Sequence, residues 1–163
     1  MMRKDDAALV YDAALVDMPY DAFRAHDRTH VARMKGVHPE LQEKILRIMD
    51  AMLSLKFPMM VTDGLRTQAQ QQALYAQGRT KPGKIVTYAD GIVKKSNHQA
   101  KGDGYGHAVD CCFLIDVDGD GPDDPSWSEQ HPWALYGAMA RALGLAWGGD
   151  WTTLVDRPHV ELP

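Results

Sequence analysis

An aspartate inside an apolar stretch is the feature that most restricts the fold of this chain. Residues 108–115 read Ala-Val-Asp-Cys-Cys-Phe-Leu-Ile, which predicts a central β-strand with Asp110 near its start. An unpaired carboxylate buried there would be costly. A bound metal ion would remove this cost, and a strand-end cap or a paired arginine are the alternatives. Cys111 and Cys112 point to opposite faces of the strand, so we predict buried thiols instead of a strained disulfide.

The hydrophobic pattern elsewhere places helices early in the chain and strands late. Apolar residues recur at steps of three and four after Pro39, which predicts a helix that ends near Leu55. Thr67 and Gln70 form a capping-box pattern for a helix that runs to Gly78, with its glutamines on the exposed side. Further helices are predicted at 21–34 and 132–144, and further strands at 57–61, 145–147 and 159–162. This order favours an α+β fold, with helices packed on a small antiparallel sheet, over a doubly wound sheet.

The 163 residues are enough for one domain with a hydrophobic core. Residues 1–26 contain a short duplication and are predicted to form an N-terminal arm that precedes a folded domain at 27–163. The apolar part of this arm is shorter than a signal-peptide core of about 7–15 residues, and no apolar run approaches the roughly 20 residues of a membrane span. We therefore expect synthesis in the cytoplasm without a signal peptide, and no membrane span. Separately, we expect a monomer.

The net charge of −4 gives no indication of a nucleic-acid partner, but the charges are unevenly placed. Residues 79–101 include six lysines or arginines and one acid, whereas residues 102–140 include eight acids and no lysine or arginine. Two solvated loops would explain this pattern. A basic lip that attracts an anionic polymer would explain it equally well.

Two histidines and the strand aspartate are the candidate metal ligands. Imidazole and carboxylate are good zinc donors, and a catalytic zinc site uses three protein ligands and keeps a fourth position for water. His98 lies in a polar loop and His159 lies beside the last predicted strand, so both must meet Asp110 through folding. His107 is a competing ligand, but its spacing of three residues from Asp110 puts the two side chains on opposite faces of a strand. We predict zinc bound by His98, Asp110 and His159.

Asp156 is the candidate general base beside these ligands. It precedes His159 by three residues, and Pro158 restricts the connection between them. A carboxylate within reach of water activated by zinc can take a proton and pass it to a leaving amine. The alternative is an ordinary aspartate in a turn. Arg66 could donate hydrogen bonds to a scissile carbonyl, although in isolation it is a common arginine near a helix start.

The acidic segment after the strand is similar to the start of a calcium-binding loop. Asp116, Asp118 and Asp120 alternate and Gly121 follows, but the twelfth position is Trp127 instead of the glutamate of an EF-hand. The segment is therefore either a solvated acidic turn or a loop that binds Ca²⁺.

Three short motifs occur in a fixed order along the chain. Ser-x-His lies at 96–98, Gly-x-Ala-x-Asp at 106–110, and acid-x-x-His at 156–159. Together they resemble the VanY-like zinc peptidases, which include D-alanyl-D-alanine carboxypeptidases and phage L-alanyl-D-glutamate endopeptidases and share a hedgehog-type fold. The resemblance extends over residues 27–163, and several further segments are similar to the endolysin branch: 36–39, 65–67, 74–80 and 147–151.

The resemblance implies the zinc ligands and the base described above, places Arg66 at the developing oxyanion and assigns substrate binding to Ser96. It implies an endolysin that cuts the L-alanyl–D-glutamate bond of the peptidoglycan stem peptide and reaches the wall in the periplasm after release from the host cytoplasm. A D-alanyl-D-alanine carboxypeptidase and a non-catalytic, metal-stabilised binding domain are the alternatives. One departure is the seven residues at 99–105, where the family has two, and this insertion keeps His107 as a rival ligand.

Overall fold

A computed structural model describes residues 28–119 and 124–163. These residues form helices and strands that are interspersed along the chain, and the strands build one antiparallel sheet. The helices are α1 (Arg28–Arg33), α2 (Pro39–Ser54), α3 (Gln68–Ala76) and α4 (Trp133–Ala142), with a 3-10 turn at Gly148–Asp150. The strands are β1 (Met59–Asp63), β2 (Ala108–Ile115), β3 (Asp124–Ser126), β4 (Ala146–Trp147) and β5 (His159–Glu161). The α+β prediction is confirmed. The predicted arm at 1–26 lies outside the described residues, as does part of the acidic segment.

Strand β2 is the centre of the sheet. It pairs antiparallel with β1 on one side and with β5 on the other, which gives the order β1-β2-β5-β4. Strand β3 pairs with the far end of β2. As predicted, Cys111 and Cys112 are buried free thiols on β2. Burial raises the pKa of Cys111 to about 12, which keeps this thiol protonated.

Helix α2 supplies much of the hydrophobic core. His38 caps its N-terminus, Pro39 occupies a first-turn position, and the apolar face predicted from the sequence is fully buried: Leu41, Ile45, Ile48 and Met52. Helix α2 contacts α4 and β1, so the core lies between the two helices and the sheet. None of the described helices is long and apolar enough to cross a membrane.

Two sequence predictions need correction. The strand predicted at 57–61 is β1 at Met59–Asp63, because an irregularity in register after Val61 lets the strand continue to Asp63, which pairs with Asp110 on β2. The glutamines of α3 are exposed except Gln71, which is fully buried. Its side-chain amide donates to Thr87 Oγ1 and to the Ala89 carbonyl, so this residue anchors the following loop.

Candidate active site

The pairing of β2 with β5 brings two of the predicted ligands together. Asp110 lies directly opposite His159 in the antiparallel register. Directly opposed residues have neighbouring side chains on the same face of a sheet. The sheet itself therefore sets the Asp110–His159 contact.

The third predicted ligand, His98, comes from the loop between α3 and β2. Its backbone carbonyl accepts a hydrogen bond from the Arg66 N–H at 2.9 Å. Its ring Nδ1 lies 2.7 Å from the Gly64 carbonyl oxygen, and the side chain is buried. The segment that follows β1 thus holds this loop by both backbone and side chain.

The three predicted ligands converge on one point. His98 Nε2 lies 3.2 Å from His159 Nδ1 and 3.2 Å from Asp110 Oδ1, and His159 Nδ1 lies 3.0 Å from Asp110 Oδ1. A tetrahedral ion with bonds of ~2.0–2.1 Å has its ligand atoms about 3.3 Å apart. The observed separations therefore fit one zinc-sized ion at the centre of the trio.

The hydrogen bonds behind each imidazole support the same conclusion. A carbonyl can only accept, so His98 must donate from Nδ1 to Gly64, which leaves a lone pair on Nε2 of the neutral ring. His159 Nε2 lies 2.8 Å from the Glu161 carboxylate and donates to it, which leaves a lone pair on Nδ1. Both lone pairs face the Asp110 oxygen. Three electron-rich atoms this close repel one another unless a cation lies between them.

Without a metal ion, a proton on His159 supplies positive charge between this ring and the Asp110 carboxylate. Burial works to lower the pKa of His159, but its hydrogen bonds to Asp110 and Glu161 outweigh burial and raise the pKa to about 9. Burial works to raise the pKa of Asp110, but His98 and His159 hold it well below its usual range. A metal ion and a proton therefore compete for the space between His159 and Asp110.

Arg66 pairs with the other oxygen of the Asp110 carboxylate. Its Nη2 donates to Asp110 Oδ2, its Nε donates to Asp63, and its Nη1 lies 3.4 Å from Gln71 Oε1. The sequence left a metal ion and an arginine as alternative partners for Asp110. In the structure Arg66 pairs with Oδ2, and two imidazoles that could share a metal ion with Asp110 lie beside Oδ1. An arginine guanidinium has five N–H groups, and the described residues engage three of them, which leaves two for other acceptors within that part of the chain.

Asp156 and Ser96 also lie at the site. Asp156 is in a turn that ends at His159, where the His159 N–H donates to the Asp156 carbonyl at 3.2 Å. Burial and the charge of Asp110 raise the pKa of Asp156, although His159 opposes this shift. The Ser96 hydroxyl accepts the His98 N–H at 3.2 Å and thereby shapes the ligand loop. Both residues line the same cleft as the trio, and their predicted roles in catalysis and substrate binding stay predictions.

The cleft above the trio has a volume of about 770 Å³ and two distinct walls. One wall is the loop at 86–89 and 94–97, and the other is the segment at 150–154. Trp151 lies on the second wall, with its ring 4.9 Å from the His159 ring. The three candidate ligands and both of these segments therefore face one open cleft.

The rival ligand His107 is not part of the trio. It belongs to a separate group with His38 and Asp103, the last from the inserted loop. His107 Nε2 lies 2.7 Å from the Asp103 carboxylate, and His38 Nδ1 accepts the Glu40 N–H at 3.3 Å. Because His38 accepts through Nδ1, its other nitrogen carries the proton in the neutral ring and cannot bind a metal. This group is better explained as a helix cap beside an ion pair that orders the inserted loop.

Comparison with known proteins identifies the family. The chain is 32% identical over 126 residues to the peptidoglycan L-alanyl-D-glutamate endopeptidase CwlK of Bacillus subtilis (strain 168), covering 77% of this chain and 73% of that protein. The chain belongs to the VanY-like D-alanyl-D-alanine peptidase family. A family model described as D-alanyl-D-alanine carboxypeptidase matches residues 91–162. The crystal structure of the Serratia marcescens L-Ala D-Glu endopeptidase ChiX matches with a TM-score of 0.54 at 26% identity, covering 83% of this chain and 87% of that chain.

Membership of the VanY-like family makes this chain a metallopeptidase, and the fold predicted from the family resemblance is confirmed. The matched range includes all three candidate ligands and Asp156. Arg66 lies before that range and enters the site because its segment holds the His98 loop.

One residue of this peptidase site was missed in the sequence. Glu161 lies two residues after His159 on β5, so the two side chains share a face of the strand. It accepts from His159 and from Asn97, and these hydrogen bonds lower the pKa of Glu161 although burial opposes them. The spacing of two on a strand was the available signal.

Proposed function

We propose that this metallopeptidase is a zinc-dependent peptidoglycan endopeptidase that hydrolyses the L-alanyl–D-glutamate bond of the stem peptide. CwlK and ChiX, which are similar over most of the chain, both carry this activity in their names. The observation that carries the proposal is the inward orientation of three lone pairs, at separations of 3.0–3.2 Å, at the base of an open cleft.

The chemistry follows from the residues around the trio. When bound there, zinc supplies positive charge that polarises a carbonyl group and makes a water molecule more acidic. Asp156, with its raised pKa, accepts a proton from the attacking water and returns it to the leaving amine of D-glutamate. Arg66 holds Asp110 in place and has two N–H groups left to donate to the carbonyl oxygen as negative charge develops there.

We further assign the chain to the phage endolysin branch, acting on the wall in the periplasm after release from the host cytoplasm. The support is the set of sequence segments similar to that branch, including 147–151, which packs beside the site. A second candidate activity is removal of terminal D-alanine, which the description of the matching family model favours.

Mass spectrometry of digested peptidoglycan tests the proposal and separates the two activities. We expect new N-terminal D-glutamate and released L-alanyl fragments, with one zinc per chain. His98→Ala should lose both zinc and activity, whereas His107→Ala is the matched control and should keep both. Loss of terminal D-alanine alone would support the carboxypeptidase instead. Full activity after complete metal removal would contradict the zinc-dependent mechanism.

A further inference from the structure

Two lysines line the wall of the cleft that leads into the His98 loop. Lys94 and Lys95 are exposed and immediately precede Ser96 and Asn97, which line the same cleft. Among the described residues, neither lysine forms an ion pair. The arginine that lines the cleft, Arg66, already pairs with two carboxylates. Lys94 and Lys95 are therefore the ammonium groups available to an anion in this cleft.

The turn that presents these lysines is anchored to the rest of the fold. Asp90 Oδ1 accepts the backbone N–H groups of Ile92, Val93 and Lys94 at 2.7–3.0 Å. The Gly91 N–H donates to the Lys94 carbonyl at 3.1 Å, and the Gln99 amide donates to the Gly91 carbonyl at 3.0 Å. The backbone is thus fixed while the two side chains extend into solvent.

The same turn is also tied to α3. The buried Gln71 amide donates to the Ala89 carbonyl at 3.0 Å. Gly91 has a φ of +82°, and a Cβ at this position would lie 3.2 Å from the Gln71 side chain. Because α3 also begins beside Arg66, one helix positions both the lysine-bearing turn and the catalytic arginine.

The expected substrate carries a carboxyl group on the residue next to the bond that is cut. In an L-alanyl–D-glutamyl bond the glutamate amine is acylated, and only one of its two carboxyl groups continues the peptide. The other is free or amidated, and it lies on the residue next to the scissile bond. Several carboxylates line the cleft, namely Asp110, Asp150, Asp156 and Glu161. An anionic substrate therefore needs local positive charge to bind there.

We propose that Lys94 and Lys95 form a subsite for the free carboxylate of the D-glutamyl residue and so select the acid over its amide. This inference rests on the proposed function, because it concerns the residue on the leaving side of that bond. For the basic stretch at 79–101, the proposal favours a basic lip that attracts an anionic substrate over a solvated loop, since it places Lys94 and Lys95 at the substrate.

The test uses two synthetic L-alanyl-D-glutamyl peptides, each extended by one residue with an amidated C-terminus. They differ only in the glutamate carboxyl group that does not continue the peptide, which is free in one peptide and amidated in the other. We expect the zinc-loaded wild type to cleave the free acid with a kcat/KM about tenfold higher, mostly through KM, as for the loss of a charged hydrogen bond. The K94Q/K95Q double variant should lose that preference by slowing on the acid only.

Two further variants complete the experiment. K94R/K95R should retain the preference for the acid, because the charge is kept. Lys84→Gln is the matched control: Lys84 is in the same basic stretch but does not line this cleft, so both substrates should be cleaved as by wild type. All these lysines are exposed, so unchanged melting curves are expected.

The outcomes separate the two proposals. If wild type cleaves neither peptide but still removes terminal D-alanine, the proposed function fails. If wild type cleaves acid and amide equally well, or if K94Q/K95Q slows equally on both, the function stands and the carboxylate subsite is overturned.

Discussion

The metal-free protein should lose stability as the pH rises through the neutral range, because of a single buried histidine. His159 is 5% exposed and has its pKa raised from 6.5 to about 9 by Asp110 and Glu161. A group whose pKa is higher in the folded state than in the unfolded state stabilises the fold fully at pH values below its unfolded-state pKa. This stabilisation is lost as the pH rises through its folded-state pKa. The loss should therefore occur between about pH 6.5 and pH 9.

The size of this loss follows from the same two pKa values. Integrating the difference in bound protons from about pH 6 to about pH 8.5 gives about 2 kcal/mol. For a chain of this size such a change corresponds to a fall in Tm of about 6 °C. Because His159 is buried, solvent screening does not substantially reduce this contribution to stability.

Thermal unfolding of chelator-treated protein across this pH range measures the effect. The zinc-loaded protein should show no such loss, because the ion replaces the proton between His159 and Asp110. The His159→Asn variant, also metal-free, keeps the contributions of other titrating groups such as the buried thiols. Subtracting its profile isolates the histidine. Parallel profiles for metal-free wild type and His159→Asn would refute the reasoning.

Three further predictions concern the site. Asp156→Asn should keep its zinc, by elemental analysis, and lose about 10²–10⁴-fold in kcat, and a variant with normal kcat would exclude Asp156 as the base. Glu161→Gln should weaken zinc binding about 10–100-fold in a chelator competition, because the amide no longer orients His159 as a charged acceptor, and unchanged affinity would contradict this role. Gly148→Ala should destabilise the fold by about 1–3 kcal/mol and reduce activity, because its Cβ would lie 2.4 Å from the Asp156 carbonyl oxygen and 3.0 Å from the His159 Cβ. Gly102→Ala is the control, because a Cβ at this position would have no neighbouring atom within 4 Å. Its melting temperature and activity should match those of wild type.

Four of the five strands could be predicted from short apolar runs, whereas β3 (Asp124–Ser126) has no such pattern and was missed. The ligands were predicted from residue type, since imidazole and carboxylate are zinc donors. A carboxylate in an apolar strand needs a partner, but which strand supplies that partner was not predicted from the sequence. The antiparallel register of β2 and β5, which sets Asp110 opposite His159, is a finding of the structure. The predictions for α2 and for the capping box of α3 rested on local patterns, and both are confirmed.

The contributions of Gln71 and Glu161 could not be predicted with the same ease, because they depend on tertiary contacts. Gln71 is one of several similar glutamines on α3, and only the path of the 87–95 turn makes it the buried one. Glu161 had a spacing signal, but an acid on a terminal strand is common without a ligand to orient. In both cases the side chain has the hydrogen-bonding groups that the contact needs, but the path of a neighbouring loop determines whether the contact forms.

The choice between His98 and His107 shows most clearly what sequence spacing omits. Both histidines lie near Asp110 in the chain, and each has one ring nitrogen engaged by another group. The decisive difference lies in the partners: His98 donates to a carbonyl and faces two other lone pairs, whereas the neighbour of His107, His38, accepts from a helix N-terminus. A metal site requires nitrogens whose protons are directed away from the ion. That requirement concerns hydrogen-bond direction, which only the folded loops around each ring determine.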